Sequence, residues 1–235
     1  MAFTKSEWET IDAIVFDAVG TLIEPFPSVA ETYAQTALRQ GVVLASGDVK
    51  TRFHAHFRND EWDEIRGPMA TDEAIEVRRW RRIVANVLPE VPDLDRAFDE
   101  LWLHFGQPQG WRCFPEVATV LQSLTDVGRT VCIASNFDAR LRGVAAGLPP
   151  LAKLTGDLVI SSEVGFRKPH PAFYRAACEH LGLAGARVLW VGDDVENDVA
   201  GPIRAGLRGL WLDRHGRGDS RLPQIRDLTE LLTAV

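Results

Sequence analysis

The sequence has no paired cysteines. Cys113, Cys132 and Cys178 lie far apart, with no Cys-x-x-Cys pair. That excludes a disulfide framework and a cysteine-built zinc site, and it reads as reduced thiols in a cytosolic protein. A surplus of positive charge is also lacking: 26 lysines and arginines face 33 acids, for a net charge of -7. Neither a nucleic-acid backbone nor an anionic membrane is then the expected partner. No apolar run approaches the roughly 18 to 20 residues that span a bilayer. The opening segment carries acids where a signal peptide would be apolar, so the expected location is the cytoplasm. Walker-type phosphate loops, GxGxxG and GxSxG are absent, which removes P-loop, dinucleotide-binding and serine-hydrolase readings. There is no internal repeat and no low-complexity tract.

What is present is organised around residues 11–21. Ala13-Ile14-Val15-Phe16 is a short apolar run that fits a strand buried on both faces. It ends at Asp17, and Gly20 and Thr21 follow. From 25 to 110 the pattern is helical, with expected helices over 29–40 (capped by Ser28), from Asp48 to Phe57, over 71–88 (capped by Thr71) and from Asp93 to Phe105. Val77, Trp80, Val84, Val87 and Leu88 mark the apolar stripe of the third. After Gly106-Gln107-Pro108-Gln109-Gly110 the chain alternates. Helices are expected at 115–127, 139–146, 171–181, 195–205 and 224–233, and strands at 130–134, 157–161, 187–191 and 207–212. Alternation of this kind implies a parallel sheet with helices on both faces. The expected fold is therefore α/β, a three-layer sandwich with a Rossmann-like parallel sheet. Residues 1–24 and 111–235 form its core, and 25–110 form a helical cap inserted after the first strand. With 235 residues, 46% of them hydrophobic, the chain is long enough for both.

Ligands of such sheets bind at the carboxyl ends of the strands. Asp17, Ser135-Asn136, Lys168-Pro169 and Gly192-Asp193-Asp194 with Asn197-Asp198 each follow an expected strand. Carboxylates gathered there can hold a hard cation such as Mg²⁺, usually together with substrate phosphate. A hydroxyl and an ammonium beside them suit phosphoryl oxygens. An Asp carboxylate can act as a covalent nucleophile.

These four stretches, in this order, resemble the motifs of the haloacid dehalogenase (HAD) superfamily. The helical insertion resembles the cap of its subfamily I. The segment Ala134-Ser-Asn-Phe-Asp-Ala-Arg-Leu141, with the Val-Gly-Thr ending of the first motif, is most similar to the rhythmically-expressed-gene-2-like branch. The resemblance implies a hydrolase with Asp17 as nucleophile. Lys168 and Ser135 would orient the phosphoryl group, and Thr21 and Asn136 would belong to the phosphate pocket or orient backbone. Asp17, the backbone carbonyl of Val19, Asp193, Asp194 and Asp198 would be the Mg²⁺ set. The expected partner is a small-molecule phosphate ester, and the protein itself a monomer or homodimer.

One position departs from that pattern. Most phosphatases of the family carry Asp two residues after the nucleophile, as general acid and base, and here that residue is Val19. General acid–base catalysis is typically worth about 10²–10⁴-fold, so alkyl phosphates should react slowly, while aryl or acyl phosphates need little protonation. A halide needs none. The 2-haloacid dehalogenases also lack the second Asp, and Tyr174 matches one of their tyrosines, but their fourth motif is metal-free, unlike Gly192-Asp193-Asp194. Three readings stay open: phosphatase, C–halogen hydrolase, and a weakly active or non-catalytic phosphate binder. Elsewhere, Arg78, Arg79, Arg81 and Arg82 read as the solvated face of an amphipathic helix. Arg167 reads as a surface residue, Tyr174 as packing and His170 as a loop residue. His54 and His56 are spaced wrongly for a shared helix face.

Overall fold

The computed structural model describes residues 5–67, 69–216, 218 and 221–234, without the side chains of 5, 59–66 and 233–234. The chain opens with α1 (Lys5–Glu9), β1 (Ala13–Phe16) and β2 (Ile23–Pro25). Four helices follow: α2 (Val29–Leu38), α3 (Ser46–Arg66), α4 (Glu73–Val87) and α5 (Leu94–Phe105). The remainder alternates through β3 (Trp111–Cys113), α6 (Val117–Asp126), β4 (Thr130–Ser135), α7 (Arg140–Gly147), β5 (Leu158–Ile160), α8 (Ser161–Val164) and α9 (Pro171–Leu181). It finishes with β6 (Val188–Gly192), a wide π-helical turn at Val195–Ala200, α10 (Gly201–Arg204), β7 (Arg208–Leu212) and β8 (Gln224–Ile225).

Six strands form one parallel sheet in the order β5-β4-β1-β6-β7-β8. The first strand in sequence is thus central, flanked by β4 and β6. All four residues of β1 are buried, and strand alternation sends them to two different layers. Ile14 and Phe16 join Ile133, Leu189 and the apolar sides of α6 and α7. Val15 joins Cys132, Trp190 and the face of α9 carrying Phe173, Tyr174 and Ala177. The expected three-layer α/β fold is what forms.

Helices α2–α5 have an apolar cluster of their own, with Tyr33, Ile83, Val84, Phe98 and Leu101 among its buried members. Three of the four starts are chemically specified, while α3 begins at Ser46, two residues before the expected Asp48. Ser28 and Glu31 form a reciprocal capping box, Asp72 accepts from the Ile75 amide at 2.7 Å, and Asp93 from the Arg96 amide at 2.9 Å. The α4 cap is therefore Asp72, one residue later than expected. The Thr71 hydroxyl donates instead to Glu76 at 2.6 Å. Of the stripe expected for α4, Val84, Val87 and Leu88 are buried and Val77 and Trp80 are partly buried against the same cluster, and the buried face also takes in Glu76, Arg79 and Ile83. β2 and β3 pair antiparallel, Ile23 opposite Cys113 and Pro25 opposite Trp111, so the chain leaves and re-enters the α/β layers through one two-stranded ribbon.

Two expected helices take other forms. The segment after β6 is a wide turn and then a short helix. In it the Asn197 carbonyl accepts the Tyr174 hydroxyl at 2.7 Å, so an inter-helical bond serves this widened backbone. The expected C-terminal helix is β8 followed by tight turns over Leu228–Ala234, because β7 offers a pairing edge at Trp211 and Leu212. No described helix is long and apolar enough to cross a membrane. Tyr174 is fully buried against Trp190, as a packing residue. Tyr174→Phe should cost about 1–2 kcal/mol in urea denaturation, since it strands the Asn197 carbonyl, and should leave turnover at the wild-type level. Lost turnover with intact stability would instead place Tyr174 in the chemistry.

Candidate active site

β1, β4 and β6 end side by side, and their last residues bring the expected site together. Asp17 follows β1, Ser135 ends β4 and Asp193 follows β6. Lys168 comes from the loop before α9, and its ammonium donates to Asp17 Oδ1 and Asp198 Oδ1, both at 2.7 Å. Ser135 Oγ donates to the same Asp17 oxygen at 3.2 Å. Oxygens of Asp17, Asp193 and Asp198 lie within 4.8 Å of one another.

Each group is held from behind. Asn136 grips the Lys168 backbone twice: its Oδ1 accepts the Lys168 amide at 2.7 Å and its Nδ2 donates to the Lys168 carbonyl at 3.1 Å. Of the two roles the resemblance implied for Asn136, this geometry performs backbone orientation. Thr21 is fully buried and reaches Asp193 Oδ1 at 3.4 Å. Asp198 accepts at both oxygens: Oδ1 takes Lys168 and the Trp190 indole (3.1 Å), and Oδ2 takes the Asp194 amide (3.2 Å). Asp194 caps the wide turn, accepting the Asn197 amide at 2.7 Å, and stands outside the trio of close carboxylates.

Two glycines make room for these carboxylates. Gly20 has φ +86°, and a Cβ there would lie 2.5 Å from Asp193 Oδ2. At Gly192 a Cβ would lie 2.2 Å from the Asp198 carboxylate. The sequence shows both glycines, but only the fold shows that Asp193 and Asp198 are what they admit.

Burial dominates the electrostatics. It lifts the Asp17 carboxyl to about 6, against the pull of Lys168 and with the repulsion of Asp198. Asp193 rises to about 8, through burial first and then the charges of Asp17, Asp198 and Asp194. Asp194 is raised by burial as well. Burial alone would lower the Lys168 pKa, but Asp17 and Asp198 outweigh it and hold it above the ordinary lysine value.

Above the carboxylates opens a cavity of about 440 Å³. Its floor includes Asp17, Ser135, Asn136, Lys168 and Asp193, and its walls come from α2–α5 and the loops beside them. Two arginines read as solvent-facing are in its lining instead. Arg79 is buried, with its guanidinium over the rings of Phe57 and Trp80. Arg167 is buried too and donates to Glu76 of α4 at 3.1 Å. Spacing from Ile83 and Val87 puts Arg79 on the buried stripe of α4, a signal hidden by choosing Val77 and Trp80 to define that stripe. Nothing local to Arg167 reveals its partner, which lies 91 positions earlier in the chain. The same clasp includes backbone bonds from Arg167 to Met69 (2.9 Å) and from Thr71 to Gly165 (3.0 Å).

Stability should depend on pH with a sign set by the raised carboxyls. Between the ordinary aspartate value of 3.8 and about 8, the folded protein keeps protons on Asp17 and Asp193 that the unfolded chain releases. The native state therefore binds more protons, and stability falls as pH rises through that window. Melting temperatures of chelator-treated protein should decline from about pH 4 to pH 8, and Asp193→Asn should flatten the upper part of the decline.

The model of the haloacid dehalogenase-like hydrolase family matches residues 11–206. Haloacid dehalogenase-like hydrolase domain-containing protein 3 of Danio rerio is 27% identical over 207 residues, covering 86% of this chain and 84% of that protein. A phosphoserine phosphatase of Thermus thermophilus is 28% identical over 249 residues, covering 94% and 98%. Among solved structures, a dehalogenase superposes with a TM-score of 0.76 at 20% identity, over 96% of this chain and 97% of that one, a likeness of fold. The family match spans β1 through α10 and every residue of the carboxylate–lysine site, and the chain belongs to the haloacid dehalogenase-like hydrolases.

Proposed function

We propose that this hydrolase is a Mg²⁺-dependent phosphatase of small phosphorylated metabolites, acting through an aspartyl-phosphate intermediate on Asp17. The observation that carries the reading is the charge balance at the strand ends. Lys168 pairs with Asp17 and Asp198, while Asp193 lies within 4.8 Å of their oxygens without pairing with it, so once all three are ionised these four groups carry two uncompensated negative charges. A divalent cation neutralises that excess, and an all-oxygen donor set suits Mg²⁺. Asp17, Asp193 and the Val19 carbonyl would hold the ion, with Asp194 and Asp198 behind them. When bound, it would offset the charge of the phosphoryl oxygens as they approach the carboxylates.

The chain's own groups supply the rest. An ionised Asp17 carboxylate forms a bond to phosphorus as the phosphorus–ester oxygen bond breaks, and the ester oxygen leaves with the electron pair. Ser135 and Lys168 hold the phosphoryl oxygens and orient Asp17. Water then attacks phosphorus and gives its proton to solvent. The Asp17–phosphate bond breaks, releasing phosphate and restoring the carboxylate. In this reading residues 25–110 act as a cap domain over a core of 1–24 and 111–235, keeping bulk water from the intermediate. The separate apolar cluster of α2–α5 and the ribbon that joins them to the core support that division.

Val19 favours a second reading, C–halogen hydrolysis, since a halide leaves without a proton. The carboxylate excess argues against it, because displacement of a halide by Asp17 needs no cation at Asp193. Hydrolysis of p-nitrophenyl phosphate decides between them. Wild type should turn it over with Mg²⁺ and stop with EDTA, and Asp17→Asn should lose at least about 10³-fold. Halide release from 2-chloropropionate in EDTA, with no phosphatase activity, would overturn the phosphatase reading. Val19→Asp places a general acid beside the leaving group and should raise kcat/KM for alkyl phosphates by about 10²-fold or more. Its effect on the p-nitrophenyl ester should be small.

A further inference from the structure

We infer that the substrate's leaving group is a flat aromatic body, an aryl or heteroaryl unit joined through its oxygen to the phosphoryl group. The inference rests on the phosphatase reading and narrows its substrate class. Three observations carry it.

The first is the size of the cavity. At about 440 Å³ it falls within the range of small-molecule sites and far exceeds the need of a three-carbon acid or a bare phosphate. The second is the composition of its wall. Among the described residues, nine of those lining it are Phe, Trp or Tyr, against four aliphatic side chains, Val19, Val29, Val84 and Leu101, and one proline. Phe53, Phe57, Trp80, Trp102 and Phe105 pack on the α2–α5 cluster and yet remain only partly buried. Phe53 stacks on Phe57 at 5.5 Å, Phe57 lies 5.9 Å from Trp80, and Trp102 stacks on the buried Phe98 at 5.4 Å. Large apolar rings left part-exposed inside a cavity are surface awaiting a partner, and such rings prefer an offset-stacked or edge-on aromatic one. The Arg79 guanidinium lies over Phe57 and Trp80 and that of Arg140 over Trp102, so cations cap part of this wall and the remaining ring surface is what a ligand would meet.

The third observation is chemical. The cavity is continuous from Asp17 and Lys168 to Trp80 and Phe57. A phosphoryl group on the floor therefore projects its leaving group along Val19 towards the rings. Val19 has no proton to give, so the departing oxygen must be stable as an anion or nearly so. A phenol-type oxygen meets that requirement through its own ring, and an alkoxide does not. The aromatic wall and the missing acid point to the same kind of leaving group.

Binding to Asp17→Asn, measured by calorimetry, separates this inference from the chemistry. The probes are phenyl, cyclohexyl and 1-naphthyl phosphate, the first two being alike in size and differing in flatness. Phenyl phosphate should bind about tenfold more tightly than cyclohexyl phosphate, a difference of about 1.4 kcal/mol, and 1-naphthyl phosphate more tightly still. Trp80→Leu and Phe57→Leu keep the wall apolar but remove a flat face. Each should erase most of the preference while keeping a cooperative melt and unchanged affinity for inorganic phosphate. Equal binding of the phenyl and cyclohexyl esters would overturn the inference. So would a preference untouched in both leucine variants. Tight naphthyl phosphate binding to Asp17→Asn without hydrolysis by Mg²⁺-loaded wild type would sink the phosphatase reading alone. Hydrolysis of p-nitrophenyl phosphate with no aryl preference in binding would sink the aromatic assignment alone.

Discussion

A buried ammonium between two carboxylates is the constraint on which the site depends. Lys168 lies among Asp17, Asp198 and the face of Trp190, almost without contact with water. A charge so placed is tolerated only when opposite charges and hydrogen bonds surround it. That requirement explains the neighbours. Asn136 fixes the backbone of Lys168, Trp190 and the Asp194 amide fix Asp198, and Ser135 fixes Asp17. Removal of one partner would leave a buried charge exposed to a low dielectric, so the groups stand or fall together.

The same arrangement is tense on its acidic side. Among the described residues Asp193 has no ammonium of its own, and it is pressed against Gly20, where its ionisation is opposed by burial and by its neighbours. Carboxyls lifted to about 6 and about 8 mark a site with more negative charge than the protein itself balances. Such excess is a common property of functional sites. Here it lies at the carboxyl edge of the sheet, below a cavity that the four inserted helices wall. Arg167 and Glu76 then tie the loop that carries Lys168 to the helix that carries Trp80. The chemistry and the wall above it are thereby mechanically joined.

Much of the fold was legible because its signals are local. A buried run such as Ala13–Phe16, the alternation after residue 110, and Asp or Ser caps before helices are read from a few neighbouring residues. The misreadings arose where a distant partner decided the outcome. A three-residue ribbon needs β3 to make sense of β2. The edge of β7 draws Gln224–Ile225 out of an expected helix. The Tyr174 hydroxyl meets the carbonyl of a widened turn that any periodic pattern would render as an ordinary helix.

By itself the sequence determined the parallel α/β architecture, the place of the helical insertion and the identity of the acidic, hydroxyl and lysine groups, because strand ends in such sheets converge by rule. It also determined that no proton donor follows Asp17 at residue 19. Only the tertiary structure decided what those groups touch. It turned Gly20 and Gly192 into clearances for Asp193 and Asp198. It buried Arg79 and Arg167, which composition alone would leave in solvent, and it gathered rings from separate helices into one wall. The reason is physical: periodicity reports which residues avoid water, whereas contacts across the chain depend on the angles at which packed elements meet.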